Sequence, residues 1–109
     1  HYAGAFPLWL APIQVKVATI SEKQDEGAKA VDQKLRSAGI RSEADLRSEK
    51  INYKVREAEI QKIPYIAVVG ARELENNSVN VRERGGKDLG QIGIDTFIKK
   101  LQGEIADKV

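Results

Sequence analysis

Four cationic side chains lie within ten positions of the chain, where a predicted strand passes into a predicted helix. They are Arg47, Lys50, Lys54 and Arg56, and Glu49 is the one acid among them. Four positive charges against one negative give a local net charge of +3, whereas the whole chain carries +2. In an α/β domain this junction lies at the edge of the sheet where ligands bind. The local excess of positive charge predicts an anionic partner, with phosphates held near a helix N-terminus.

The alternative for these cations is a solvated helix face whose charge is balanced by neighbouring acids.

Two further charged residues could read a polar ligand. Glu73 follows an apolar run that predicts a buried strand, so it would lie at the carboxyl end of that strand. Its carboxylate could accept hydrogen bonds from two donors, such as the N1 and N2 hydrogens of guanine. Arg82 would share a strand face with Asn80 and Arg84, and its planar guanidinium could stack on a base or bind one with two hydrogen bonds. The alternatives are a solvated loop glutamate and an edge strand charged against aggregation.

Other kinds of chemistry are poorly supported by the composition. The absence of Cys excludes disulfides and Cys-ligated metals, and a single His at position 1 argues against a His-based catalytic or zinc site. Gly85-Gly86-Lys87 lacks the spacing of a P-loop. No nucleophile with a base and no paired carboxylates can be assembled. The sequence therefore predicts binding, with no catalytic residue, cofactor or metal in this chain.

Periodic patterns predict the elements that position these residues. Alternation or continuous apolar runs predict strands at 13–19, 40–45, 65–70, 79–82 and 88–92. A capping box formed by Ser21 and Gln24 begins a helix that ends at Gly39. A second helix is predicted over 50–62, ended by Pro64, and an amphipathic helix over 94–105 closes the chain.

The order of these elements, β-α-β-α-β-β-β-α, predicts an α/β fold. Two right-handed crossovers make the first three strands parallel, and two hairpins make the fourth strand antiparallel to its neighbours. The result is a three-layer α/β/α domain with a mixed five-stranded sheet. Residues 1–109 suffice for one domain, and no apolar run reaches the roughly 18–20 residues of a membrane span. Because the chain lacks Met, we expect a fragment of a larger protein, with residues 1–10 as the connection to it.

Several segments, in order along the chain, together resemble the C-terminal anticodon-binding domain of bacterial-type threonyl-tRNA synthetases, which are class II aminoacyl-tRNA synthetases. They are FPLWLAPIQV at 6–15, ADLRSEKI at 44–51, KIPY at 62–65, VG at 69–70 with Glu73, VRER at 81–84 and GKDLG at 86–90. The APIQ and PY segments also resemble the wider class II group. The LRSEK segment and the run from Val81 to Gly90 narrow the resemblance to the threonyl enzymes.

The resemblance implies a set of residues that read the anticodon loop at the open edge of the sheet. Every threonine anticodon ends in G-U, and positions matching Glu73, Arg82 and the segment from Ser48 to Lys50 contact these bases in the family. Many members carry Asn where this chain has Ser48, whose reach is shorter. The predicted anticodon-binding residues are Glu73, Arg82, Ser48, Lys50, Arg47, Lys54 and Arg84.

For the whole protein the resemblance implies a cytoplasmic threonine–tRNA ligase, whose partner is threonine tRNA. ATP and zinc would belong to a catalytic domain outside this chain, and this domain alone would be non-catalytic. The full-length enzyme would be a homodimer and the isolated domain a monomer, with no membrane contact. Three alternatives stay open: the anticodon-binding domain of a prolyl, histidyl or glycyl enzyme, a small-ligand-binding α/β module, and an accessory protein that uses the fold for protein contacts. The small-ligand module would need a glycine loop after the first strand, and residues 18–23 contain none.

Overall fold

A computed structural model describes residues 6–108 of the chain and contains one five-stranded sheet. The strands are β1 Val15–Thr19, β2 Ser42–Asp45, β3 Tyr65–Val69, β4 Ser78–Glu83 and β5 Lys87–Gly93. The α-helices are α1 Asp25–Ser37, α2 Ile51–Ile60, α3 Ala71–Glu75 and α4 Ile94–Ala106, and short 3-10 turns cover Leu8–Leu10 and Glu22–Gln24. Residues 1–5 of the predicted connection lie outside the described residues.

The sheet has the order β2-β1-β3-β4-β5. β1 pairs in parallel with β2 and with β3, whereas β4 pairs antiparallel with both β3 and β5. The predicted mixed sheet with an antiparallel fourth strand is therefore confirmed. The element order needs one correction, because α3 stands where a loop was predicted between the third and fourth strands.

Two apolar clusters lie on opposite faces of the sheet and confirm the three layers. The larger one packs α1 and α4 against the sheet and includes Leu35, Val17, Val81 and Phe97. The smaller one packs α2 against the other face and consists of Ala58, Ile63, Ile66 and Val68, with Ile13, Ile51 and Val55 at its margin. β1 and β3 are buried along their whole length, as expected for central parallel strands.

Local signals account for the ends of the first two helices. Gln24 Oε1 accepts from the Ser21 backbone N–H at 2.9 Å, which confirms the predicted capping box. Gly39 has φ +85°, the left-handed conformation that ends a helix most easily with glycine. α2 ends at Ile60, earlier than predicted, because Lys62 already has φ +60° and the chain has left the helix before Pro64. Within residues 6–108, no helix is both long enough and apolar enough to cross a membrane.

Candidate nucleic-acid interface

The face of the sheet that carries α2 is only partly covered. The apolar cluster beneath α2 contains residues of β3 but none of β4 or β5. Asn80 lies opposite Val68, and Arg82 lies opposite Ile66. Because directly opposed residues share a face, the side chains of Asn80 and Arg82 lie on the α2 side. The outer two strands therefore present polar side chains beside α2, on a surface that this helix leaves open.

A cleft of about 230 Å³ lies at this open surface. It is lined by Ile20, Ile51, Asn52, Val55, Val68, Glu73, Asn80, Arg82 and Asp88. Its polar members supply both hydrogen-bond acceptors and donors beside the apolar ones. Glu73 and Arg82 are nine residues apart in sequence on different elements. The structure brings these two predicted residues together in one cleft.

Glu73 is positioned by the first turn of α3. The residue is only 8% exposed, and its Oε1 accepts from the Gly70 backbone N–H at 2.8 Å. A Cβ at Gly70 would lie 2.8 Å from that oxygen and 2.7 Å from Ile20 Cδ1, so glycine leaves the space that the carboxylate needs. Glu73 is thus a helix-capping residue, and the alternative of a solvated loop glutamate does not hold. With one oxygen held by the backbone, its second oxygen is available to the cleft.

Arg82 reaches the cleft from the middle of β4, where its backbone is paired on both sides. Among residues 6–108, no carboxylate oxygen lies within 4 Å of its guanidinium nitrogens. A β-bulge in β5 places Asp88 opposite Arg82, because Val81 pairs with Gly90 and Leu89 is the extra residue. Gly90 has φ +76°, and its N–H donates to Asp88 Oδ1 at 2.8 Å. The bulge turns Leu89 toward the large apolar cluster and Asp88 toward the cleft.

Arg47, predicted to hold a phosphate, is engaged within the protein. Its guanidinium donates to both carboxylate oxygens of Asp45, at 2.9 and 2.7 Å, and to Glu57 Oε1 at 2.7 Å. The hydrogen bonds from Arg47 hold the pKa of the Asp45 carboxyl and the pKa of the Glu57 carboxyl below their ordinary values. Arg47 is half exposed, but two carboxylates already balance its charge.

Lys54, also predicted to hold a phosphate, is placed differently from that prediction. It is 2% exposed, and its ammonium donates to Thr19 O at 2.9 Å, Thr19 Oγ1 at 3.0 Å and Asp45 O at 3.2 Å. All three donors are used, so no hydrogen remains for a phosphate. Lys54 joins α2 to the carboxyl ends of β1 and β2 and thereby supports the segment that follows β2. We leave it out of the proposed interface.

The remaining predicted residues divide between the two ends of the sheet. Ser48 and Lys50 are exposed in the segment between β2 and α2, at the same end as Glu73. Arg84 lies at the other end, because its N–H donates to Pro64 O just before β3, and its Nη1 donates to Lys62 O at 3.1 Å. It lines a separate cleft with Tyr65 and Glu104 and is not brought to Arg82. The predicted shared face holds for Asn80 and Arg82 but does not extend to Arg84, because β4 ends at Glu83 and Arg84 lies beyond it, beside Glu104 of α4.

Among the polar residues of the cleft, sequence reasoning did not single out Asn52 or Asp88. The helical period did carry a signal for Asn52, because it follows Ile51 in a helix whose Ile51, Val55 and Ala58 face the sheet, which places Asn52 beside that stripe. The position of Asp88 depends on the β-bulge, which only Gly90 signalled. Within the described range, no group of three or more His, Cys, Asp or Glu side chains is arranged to hold a metal ion.

An exposed polar cleft beside a helix, on an α/β sheet with one antiparallel strand inside it, defines a binding domain. A family model described as an anticodon binding domain matches residues 14–104. Since this match covers most of the chain, the chain belongs to the anticodon-binding domain family.

Curated relatives agree over nearly the whole chain. It is 57% identical over 105 residues to a threonine–tRNA ligase of Dechloromonas aromatica, covering 96% of this chain and 16% of that protein. It is 55% identical over 108 residues to a threonine–tRNA ligase of Caldanaerobacter subterraneus, covering 99% of this chain and 17% of that protein. The chain thus spans about one sixth of the length of the curated relatives it matches.

Solved structures show the same fold. The RNA binding domain of threonyl-tRNA synthetase from Cryptosporidium parvum superposes with a TM-score of 0.88 at 33% identity, covering 94% of this chain and 26% of that one. Prolyl-tRNA synthetase from the same organism gives a TM-score of 0.82 at 25% identity, covering 95% of this chain and 23% of that one. The predicted family and fold are confirmed by these comparisons.

Proposed function

We propose that this chain reads the anticodon loop of threonine tRNA as the RNA-binding part of a threonine–tRNA ligase. The observation that carries the proposal is the cleft that joins Glu73 to Arg82 on the open part of the sheet. Single-stranded loop bases are recognised by proteins on their Watson–Crick edges, after they have been splayed out of the stack. A cleft with a carboxylate on one wall and a guanidinium on another offers an acceptor and a donor to such an edge.

The chemistry of the two residues is complementary. A carboxylate accepts from the N–H groups of guanine and rejects bases that present only acceptors there. A guanidinium donates to carbonyl and ring-nitrogen acceptors and can do so with two parallel hydrogen bonds. Both are held by regular structure, Glu73 by its bond to the Gly70 N–H and Arg82 by a paired strand. The two bases of an anticodon that ends in G-U would therefore contact side chains whose backbone positions are fixed before binding.

The threonine assignment rests on the two threonine–tRNA ligases of Dechloromonas aromatica and Caldanaerobacter subterraneus, to which this chain is 57% and 55% identical over 96% and 99% of its length. The prolyl structure shares the fold at lower identity than the threonyl one, 25% against 33%. We further propose that ATP and zinc act in a catalytic domain outside this chain. The anticodon-binding domain described here would catalyse no reaction by itself. The complete enzyme would be a cytoplasmic homodimer and the isolated domain a monomer.

The first prediction tests base reading by the cleft. In fluorescence anisotropy titrations, the 109-residue chain should prefer a stem-loop whose anticodon ends in G-U over one with those two bases changed. Arg82→Ala and Glu73→Gln should each reduce that preference by roughly ten- to a hundredfold, because a good base contact carries about 1–3 kcal/mol of discrimination. Glutamine keeps an oxygen for the Gly70 N–H, so α3 should remain intact.

Matched controls come from the same helix. Arg72 and Glu75 are exposed neighbours of Glu73 and do not line the cleft. Arg72→Ala and Glu75→Gln make the same charge changes and should leave the preference unchanged. If Arg82→Ala and Glu73→Gln both kept the wild-type preference while remaining folded by circular dichroism, the cleft would not be the reading site.

A further inference from the structure

The cleft that contains Glu73 does not end at Arg82. A second cleft of about 510 Å³ is lined by Asn52, Tyr53, Val55, Arg56, Glu59 and Arg82. It shares three of these walls, Asn52, Val55 and Arg82, with the first cleft. The two clefts are therefore parts of one groove, which passes from the end of β3 over Arg82 and along α2. The second part, at about 510 Å³ against about 230 Å³ for the first, has room for a further nucleotide with its sugar and phosphate.

The helix spacing explains why α2 can form this wall. Ile51, Val55 and Ala58 pack toward the sheet. Asn52, Arg56 and Glu59 follow each other at spacings of four and three, so they form an adjoining stripe along the same helix. That stripe borders the uncovered strands, where Arg82 lies. One helix thus packs on the core and presents a polar edge to the groove.

Two groups in the second cleft suit a nucleotide. Arg56 is exposed, and within residues 6–108 no carboxylate oxygen lies within 4 Å of its guanidinium. Tyr53 is 48% exposed, although the Arg47 guanidinium lies 5.7 Å from its ring centroid. A guanidinium over one face of a ring orients the ring and leaves the other face for stacking. An aromatic face beside an uncompensated arginine is the combination that binds a base and its phosphate.

We infer that this second cleft holds the loop nucleotide adjacent to the bases read at Glu73 and Arg82. Its base stacks on Tyr53 and its phosphate pairs with Arg56. The inference rests on the proposed function, because it needs an RNA strand in the first cleft. This subsite contributes affinity without reading sequence, since stacking on an aromatic ring accepts any base.

A double-mutant cycle tests the stacking contact. Stem-loops with a threonine anticodon are made with an abasic nucleotide on the 5′ side or on the 3′ side of the two read bases. For the wild-type chain, one of these substitutions should weaken binding by about five- to fiftyfold, the usual loss for one stacked base. In Tyr53→Leu the same substitution should have no further effect, whereas Tyr53→Phe keeps the ring and should keep the wild-type loss.

The phosphate contact is tested by salt dependence. Arg56→Gln should weaken matched and mismatched stem-loops alike and lower the slope of log affinity against log salt by about 0.7, the value for one phosphate of a single strand. Arg36→Gln is the control, because Arg36 is an exposed arginine on α1 with the same charge. The inference is overturned if Tyr53→Leu keeps the abasic loss or if Arg56→Gln keeps the wild-type slope. Failure of the wild-type chain to prefer G-U anticodons would instead refute the proposed function.

Discussion

Lys54 shows how a charged side chain can serve the fold instead of the ligand. Its ammonium is buried without a carboxylate and is bonded to three oxygens at the ends of β1 and β2. Removal of the ammonium would leave two backbone carbonyls without this donor. Lys54→Met should therefore lower the free energy of unfolding by about 2 kcal/mol, measured by urea titration.

The control for this prediction is Lys50→Met, which removes a lysine four residues earlier from an exposed position. It should change the free energy of unfolding by no more than about 0.5 kcal/mol. Equal stability of the two variants would mean that the Lys54 ammonium does not support the ends of the strands.

At single residues, the sequence identified two side chains that the structure places together, and it did not show which charged residue is buried. Glu73 and Arg82 were singled out by type and by position after or within a strand, and the structure places both in the cleft. Lys54 was assigned to a phosphate because it belongs to a cluster of cationic residues in the sequence, whereas the structure buries it. Its spacing did carry a signal, because it lies three residues after Ile51 and four before Ala58, on the stripe that faces the sheet.

Among the elements, the segment from the end of β2 to α2 is held by electrostatics. Arg47 holds the pKa of the Asp45 carboxyl below its ordinary value of 3.8 in the folded chain. A carboxyl whose pKa falls on folding stabilises the fold above its unfolded pKa, and the stabilisation is lost as the pH falls through the folded pKa. The folded chain should therefore lose stability on acidification below about pH 4 through this residue.

Asp45→Asn tests this contribution. At pH 7 the variant should be less stable by about 1 kcal/mol, since the bonds it loses go to a half-exposed arginine. Between about pH 5 and pH 2 its free energy of unfolding should fall less steeply than that of the wild-type chain. Parallel pH profiles for the two proteins would assign the acid sensitivity to other carboxyls.

Element prediction depended on the length and regularity of the pattern. Alternation at Ile13, Val15 and Val17 identified β1, and the periodic stripe through Leu35 identified α1. α3 was missed because Ala71–Glu75 is one turn and a half, too short to show a period. The bulge in β5 was missed for a related reason. One inserted residue shifts the register at Val81 without altering the composition of the strand.

On the scale of the whole molecule, the arrangement of charge differs from what the sequence suggested. The predicted +3 cluster is largely compensated or buried, since Arg47 is paired with two carboxylates and Lys54 is enclosed. Arg56 and Arg82 in the groove, and the exposed Lys50 just before α2, have no carboxylate within 4 Å among residues 6–108. Three cations on a chain of net charge +2 make a small electrostatic footprint.

Binding of the stem-loop should accordingly depend only weakly on salt. Because Arg82 is assigned to a base, two cations, Lys50 and Arg56, are left for phosphates, and two phosphate contacts with a single strand give a slope of log affinity against log salt of about −1.4. Titrations of the wild-type chain between about 50 and 200 mM salt would measure it. A slope steeper than about −4 would mean that Arg47 leaves its carboxylates to bind phosphate, and a slope of zero would exclude phosphate contacts altogether.

The double engagement of Glu73 has an evolutionary consequence. The same carboxylate begins α3, through the Gly70 N–H, and forms one wall of the cleft. A mutation that changes what this wall accepts also removes the bond that starts the helix, unless the new side chain keeps an oxygen at the same reach. Glutamine meets that condition, and shorter or apolar side chains do not. Few substitutions at position 73 can therefore change base specificity and still keep the bond to the Gly70 N–H. The stability of α3 limits change at this position independently of selection for RNA binding.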